Sequence, residues 1–165
     1  EAVAIAHQIT GAPIISHCEH GTGALEQIEL FNKLRIPLQK VTLSHSDKEN
    51  DFGYHREILA SGINVEYDQS LRQFDEDAPP SALLMKAMID EGFIDQIMLG
   101  TDGARRSLWS SLGGTPGLAW LFNGWSQTLK KLGLTQEHLD KVFIDNPARI
   151  LTIDLNPVEV SRGSS

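Results

Sequence analysis

Residues 97–106 read IMLGTDGARR, an apolar run that ends on Asp102 with two arginines, Arg105 and Arg106, close behind. An apolar strand that finishes on a carboxylate is how a parallel α/β sheet delivers a metal ligand or general base to its carboxyl edge. Two earlier apolar runs end on histidine in the same way, APIISH at His17 and KVTLSH at His45. Three strand-end ligands on one chain point to one site.

Working outward, residues 12–16 behind Pro13 suit a short buried strand, and residues 24–34 suit a helix whose core stripe is Leu25, Ile28 and Leu34. The plan repeats with a strand over 41–44, a helix over 52–60 and a stop at Gly62. A third strand is expected over 63–67, then a long charged loop over 68–80, and a helix capped by Ser81 and ended by Gly92. The fourth strand is expected over 96–100. Strand-to-strand steps of roughly 25 to 30 residues, each filled by a helix, are the mark of βαβ units with right-handed crossovers. The fold class expected is therefore α/β with a parallel sheet.

The flanks carry less. Residues 1–9 read as a helix that turns Val3, Ala6 and His7 to one side, stopping at Thr10-Gly11. Beyond Asp102 a Gly- and Ser-containing loop precedes one helix over 118–132; Thr135 caps another, and DNPARIL forms a last turn beyond Pro147. The tail, 154–165, has no packing pattern and is expected to be disordered.

At 165 residues the chain suits one ordinary domain and is short for a complete (β/α)8 barrel, which needs about 250. Its 41% hydrophobic and 22% charged residues are those of a globular protein, and no apolar run approaches the roughly 20 residues that span a bilayer. A net charge of -8 disfavours nucleic acid and anionic lipid as partners. The single cysteine, Cys18, excludes an internal disulfide, so a cytoplasmic home is the expectation. Cys18 adjoins His17, but neighbours on a strand point to opposite faces, so a buried thiol is expected there and not a nucleophile.

In a parallel sheet the carboxyl ends of the strands lie at one edge, so His17, His45 and Asp102 can converge on one cation. Imidazole nitrogen and carboxylate oxygen suit zinc, manganese or iron, with an open position to activate water. Arg105, in the loop after the last strand, and Arg72, in the loop after the third, are placed to bind a phosphate or carboxylate at the same mouth.

GAPIISHCEHGTGALEQ, VTLSHSD, LLMKAMIDEGFIDQIMLGTD and DNPARIL, in that order, resemble the carboxyl-terminal half of the phosphotriesterase family within the amidohydrolase superfamily. The resemblance implies a partial (β/α)8 TIM barrel over residues 1–153, approximately strands five to eight with their helices. It implies two divalent metals, zinc first with manganese, cobalt or iron as substitutes. By it, His17 and His45 hold the more exposed metal. Asp102 holds the more buried one and takes a proton from the bridging water. The implied reaction is hydroxide attack on an ester carbonyl or phosphoryl centre. The ARR run followed by Trp109 and GGTPG is similar to the lactonase-like branch, some of whose members open phosphorylated sugar lactones.

The departures are as informative. The family's first strand carries His-x-His and its fourth a bridging carboxylate, usually a carboxylated lysine; no His-x-His occurs in this chain. The chain is therefore expected to be a fragment of a longer enzyme, inactive alone, with an exposed sheet edge and an uncovered barrel interior. Poor stability or self-association, as a homodimer, follows from that. The function expected of the parent is metal-dependent hydrolysis of a small-molecule ester or lactone, an anionic lactone first. A phosphotriesterase or amidase is the alternative of the same chemistry, and a non-catalytic barrel scaffold that of another class.

Overall fold

The computed structural model describes residues 1–153; the tail expectation, 154–165, lies outside the described residues. Helix α1 (Ala2–Thr10) leads into strand β1 (Ile14–His17). Three right-sized crossovers follow: α2 (Ala24–Lys33) to β2 (Val41–Ser44), α3 (Phe52–Ala60) to β3 (Asn64–Tyr67), and α4 (Pro80–Asp90) to β4 (Ile97–Leu99). The four strands are all parallel and lie in chain order, β1-β2-β3-β4. The α/β reading of the sequence is what forms, with strand ends moved by one or two residues.

The register separates two faces. Ser16, Leu43, Val65 and Ile97 are aligned across the sheet. The last three have no solvent exposure, and Ser16 donates to Gln27 of α2, so this row faces the helices. Each aliphatic side chain buried so completely contributes about 1.5–3 kcal/mol. α2 covers the sheet with Ala24, Ile28 and Phe31, whose spacing of four and three is one helical stripe; Leu25 and Leu34 pack at its margin.

The alternate residues, Ile15, Thr42 and Asn64, then His17, Ser44, Glu66 and Met98, share the other face. This is the face that was expected to be an uncovered interior. Thr42, Ser44, Asn64 and Met98 are instead buried and Glu66 is partly exposed, so the fully exposed part is confined to the β1 edge, where Ile15 is 56% exposed. Most of the row is polar: Asn64 donates to the Gln39 and Val41 carbonyls and Ser44 to Glu66, while the buried Thr42 hydroxyl has no hydrogen-bond partner among the described residues. Gly100 lets β4 approach that carboxylate, since a Cβ there would lie 2.0 Å from Glu66 Oε1.

Several local expectations are corrected. In α1 the inward residues are Ala4 and His7, while Val3, Ile5 and Ile9 are exposed; His7 Nδ1 lies 2.6 Å from the Ala12 carbonyl and sets the helix's rotation. Ser81 does not cap α4. Pro79-Pro80 opens that helix, and the buried Ser81 hydroxyl serves Gln73 and the Asp47 carbonyl instead. The single helix expected over 118–132 is a 3-10 turn (Leu118–Leu121) followed by α5 (Gly124–Lys131), and the Trp120 ring lies where a Cβ on residue 124 would be, which requires glycine there. Thr135 caps α6 (Gln136–Asp140) through a reciprocal pair with His138. A π turn (Lys141–Asp145) leads to α7 (Asn146–Ile150), whose Asn146 donates to the Ile94 and Ile97 carbonyls and ties α7 to β4. Among the described residues no helix is long and apolar enough to cross a membrane.

Candidate metal centre

His17 is the last residue of β1, His45 follows β2, and Asp102 lies three residues past β4. Because all four strands are parallel, these positions lie at the carboxyl edge of one sheet, His17 and His45 on neighbouring strands and Asp102 two strands beyond His45. The His17 and His45 rings stand edge to face with centroids 4.6 Å apart. His45 Nδ1 is 4.0 Å from Asp102 Oδ2. His45 and Asp102 both have positive φ, 63° and 37°, a conformation that costs a non-glycine residue about 1–3 kcal/mol and persists where the surroundings hold it.

The three differ in surroundings. His17 has 55% of its side chain exposed, at the open β1 edge, with Nε2 2.8 Å from Glu19 Oε2. That hydrogen bond, and next the charge of His20, hold the Glu19 carboxyl below the usual carboxylate range. His45 and Asp102 are both 17% exposed and sit within the cluster. Arg72 reaches Asp102 twice: one terminal nitrogen is 2.6 Å from Oδ2 and 3.1 Å from the main-chain carbonyl. Arg72 is thus engaged with the carboxylate that sequence reasoning placed on a metal. Arg105 is exposed, and among the described residues its side chain makes no hydrogen bond or ion pair.

Asp68 opens the charged loop expected over 68–80. It immediately follows β3, as His45 follows β2, and that shared position was the signal available for finding it. Its side chain is 2% exposed. Oδ2 accepts from the His45 backbone N–H at 3.0 Å and lies 2.6 Å from His45 Nδ1; Oδ1 accepts from Gln69 Nε2. The Nδ1 contact is short but bent, a close polar contact and not an aligned hydrogen bond.

Two more carboxyls lie beneath. Asp47 accepts from the Asp68 and Gln69 backbone N–H groups at 3.1 Å each. Burial first, then the charge of Asp68, push the Asp47 carboxyl up to about 7. Glu66 is also raised, by burial first.

Ligand atoms of His45, Asp68 and Asp102 all lie within 4.8 Å of one another, and the His17 ring adjoins His45. Imidazole nitrogens beside a carboxylate are a donor set that divalent zinc, manganese or iron accepts. Arg72 already places positive charge against Asp102, which is what a cation there would do. The residues therefore fit a divalent metal.

The sequence model of the phosphotriesterase family matches residues 1–151. The chain belongs to that family. A phospho-furanose lactonase of Mycoplasmopsis synoviae is 29% identical over 166 residues, covering 93% of this chain and 46% of that protein. Among solved structures, a lactonase from Listeria monocytogenes superimposes with a TM-score of 0.86 at 34% identity, over 93% of this chain and 48% of its own. The phosphotriesterase homology protein from Escherichia coli, solved with phosphate in its active site, has a TM-score of 0.85 at 27% identity, over 92% of this chain and 52% of its own. The chain spans about half the length of the relatives it matches. The four-stranded parallel sheet with its helices is accordingly a partial barrel of the phosphotriesterase family.

Proposed function

We propose that this chain supplies half of the active site of a metal-dependent hydrolase acting on an anionic, phosphorylated lactone. The observation that carries the reading is the convergence of His17, His45 and Asp102 at one sheet edge in a member of this family. In this reading His17 and His45 hold one divalent ion and Asp102 a second. The remaining donors, His-x-His and a bridging carboxylate, come from sequence outside this chain. When bound, such metals polarise the ester carbonyl and make water a nucleophile near neutral pH.

The chain's own residues do the rest. Asp102 accepts the proton of the attacking water at its carboxylate; without a metal, Arg72 holds Oδ2. The low exposure of Asp102 limits competing solvent. Arg105, exposed just beyond, offers a planar fork for the substrate's anionic group. Support for an anionic substrate comes from the two relatives named as a phospho-furanose lactonase and as a homology protein holding phosphate in its active site.

The test is turnover of phosphorylated lactones, neutral lactones and a phosphotriester by the full-length protein that carries these residues. Asp102→Asn is expected to lose at least about a hundredfold in kcat, and Arg105→Ala to lose activity on phosphorylated lactones preferentially. Wild-type turnover in Asp102→Asn, or equal losses on neutral lactones in Arg105→Ala, would overturn the respective assignments.

A further inference from the structure

Asp68 satisfies the geometric requirement for a metal ligand, since its carboxylate is within 4.8 Å of ligand atoms of His45 and Asp102. We infer that it is not a ligand but the positioning residue for His45: its carboxylate fixes which imidazole nitrogen carries the proton and leaves Nε2 as the one nitrogen with a lone pair for a cation. The inference takes from the functional reading only that His45 is a ligand.

The occupancy of the carboxylate comes first. Both oxygens are engaged: Oδ1 by Gln69 Nε2, and Oδ2 by the His45 backbone N–H and by Nδ1. Metal coordination through Oδ2, which already takes two partners, would have to displace one of them in a side chain that is 2% exposed, where a released donor finds no water. Asp102 differs, since its partner Arg72 is 25% exposed and has solvent to turn toward.

The Nδ1 contact decides the tautomer. At 2.6 Å an unprotonated Nδ1 would set its lone pair against a carboxylate lone pair, which is repulsive, so the proton of the neutral ring sits on Nδ1. The bend weakens the preference but keeps its sign, because a carboxylate oxygen 2.6 Å away still favours the positive end of an N–H over a lone pair at Nδ1. Nε2 is then the free donor atom. A carboxylate behind a ligating imidazole also raises its basicity and fixes the ring plane.

The backbone makes the arrangement rigid. One oxygen of Asp68 takes both the N–H and the ring of His45, so it grips the residue at the turn where φ is 63°. Asp47 in turn holds the Asp68 and Gln69 N–H groups from below. His17 has no such partner: its contact is Glu19, 71% exposed, two residues along the same chain. The two histidines are therefore unequal, with His45 preset and His17 adjustable.

The deciding experiment is long-range nitrogen–proton NMR on the metal-free full-length protein labelled with nitrogen-15 histidine. For neutral His45 the expected result is the Nδ1–H form, in the absence of any metal. The Nε2–H form would overturn the inference. Asp68→Asn is expected to bring a substantial Nε2–H population, whereas Asp47→Asn, which loosens the same loop, should leave the Nδ1–H form in place. Equal tautomer ratios in the two variants would reduce Asp68 to a packing role and also overturn the inference. In the full-length protein, Asp68→Asn should weaken cobalt binding by roughly 10- to 100-fold at unchanged stoichiometry; loss of one equivalent of cobalt would instead make Asp68 a ligand. A protein that hydrolyses none of the lactones leaves the tautomer result standing, so the two readings fail separately.

Discussion

Arg72 grips Asp102 at two points, placing one terminal guanidinium nitrogen 2.6 Å from the carboxylate and 3.1 Å from the main-chain carbonyl of the same residue. The pair is partly buried, and the guanidinium supplies positive charge where the functional reading needs a metal. Arg72 and a divalent ion therefore compete for one carboxylate.

Replacing Arg72 by Met is expected to destabilise the metal-free protein by about 1–3 kcal/mol, since it leaves a carboxylate of low exposure without its partner. The same change should tighten metal binding, by roughly tenfold for each 1.4 kcal/mol of competition removed. Urea melts and calorimetric metal titration of the two proteins check both directions. Metal affinity falling together with stability would show that Arg72 supports the loaded site instead of competing with it.

Gly100 and Glu66 should be coupled. A Cβ at residue 100 would lie 2.0 Å from Glu66 Oε1, so Gly100→Ala is expected to cost about 1–3 kcal/mol by overpacking. Shortening the neighbour relieves the clash, and the double variant with Glu66→Ala should be less destabilised than the sum of the singles. Strict additivity in denaturant melts would contradict the close approach.

Cys18 should be inert. It has no exposed surface, and burial pushes its thiol up to about 11, with a Gln27 side-chain contact acting weakly the other way. The thiolate is the reactive species, so labelling of the native protein should be negligible near neutral pH and rise only as the pH approaches that value. A thiol-reactive dye should label fully only after denaturation. Rapid labelling of native protein at neutral pH would contradict the packing.

Much of this was legible in the sequence where a residue's chemistry and its place on an element coincide. His17, His45 and Asp102 each end an apolar run, and a parallel sheet puts such ends together. What escaped depended on contacts between segments. The rotation of α1 is set by His7 against the Ala12 carbonyl, which a stripe of Val3, Ala6 and His7 does not reveal. Ser81 has the chemistry of a helix cap, but Pro79 and Pro80 start α4, and its hydroxyl is used between loops. Asp68 occupies a strand end as His45 does, yet it opens a run rich in charge, and only the crossing of two loops shows that it holds His45.

The central claim is that His17, His45 and Asp102 belong to one metal centre. The most direct measurement is metal content by elemental analysis of the purified full-length protein beside its His17→Asn, His45→Asn and Asp102→Asn variants. The account predicts divalent metal in the wild type and a loss of bound metal in each variant, each recovering only at higher metal concentration. Metal content unchanged in all three variants would contradict it.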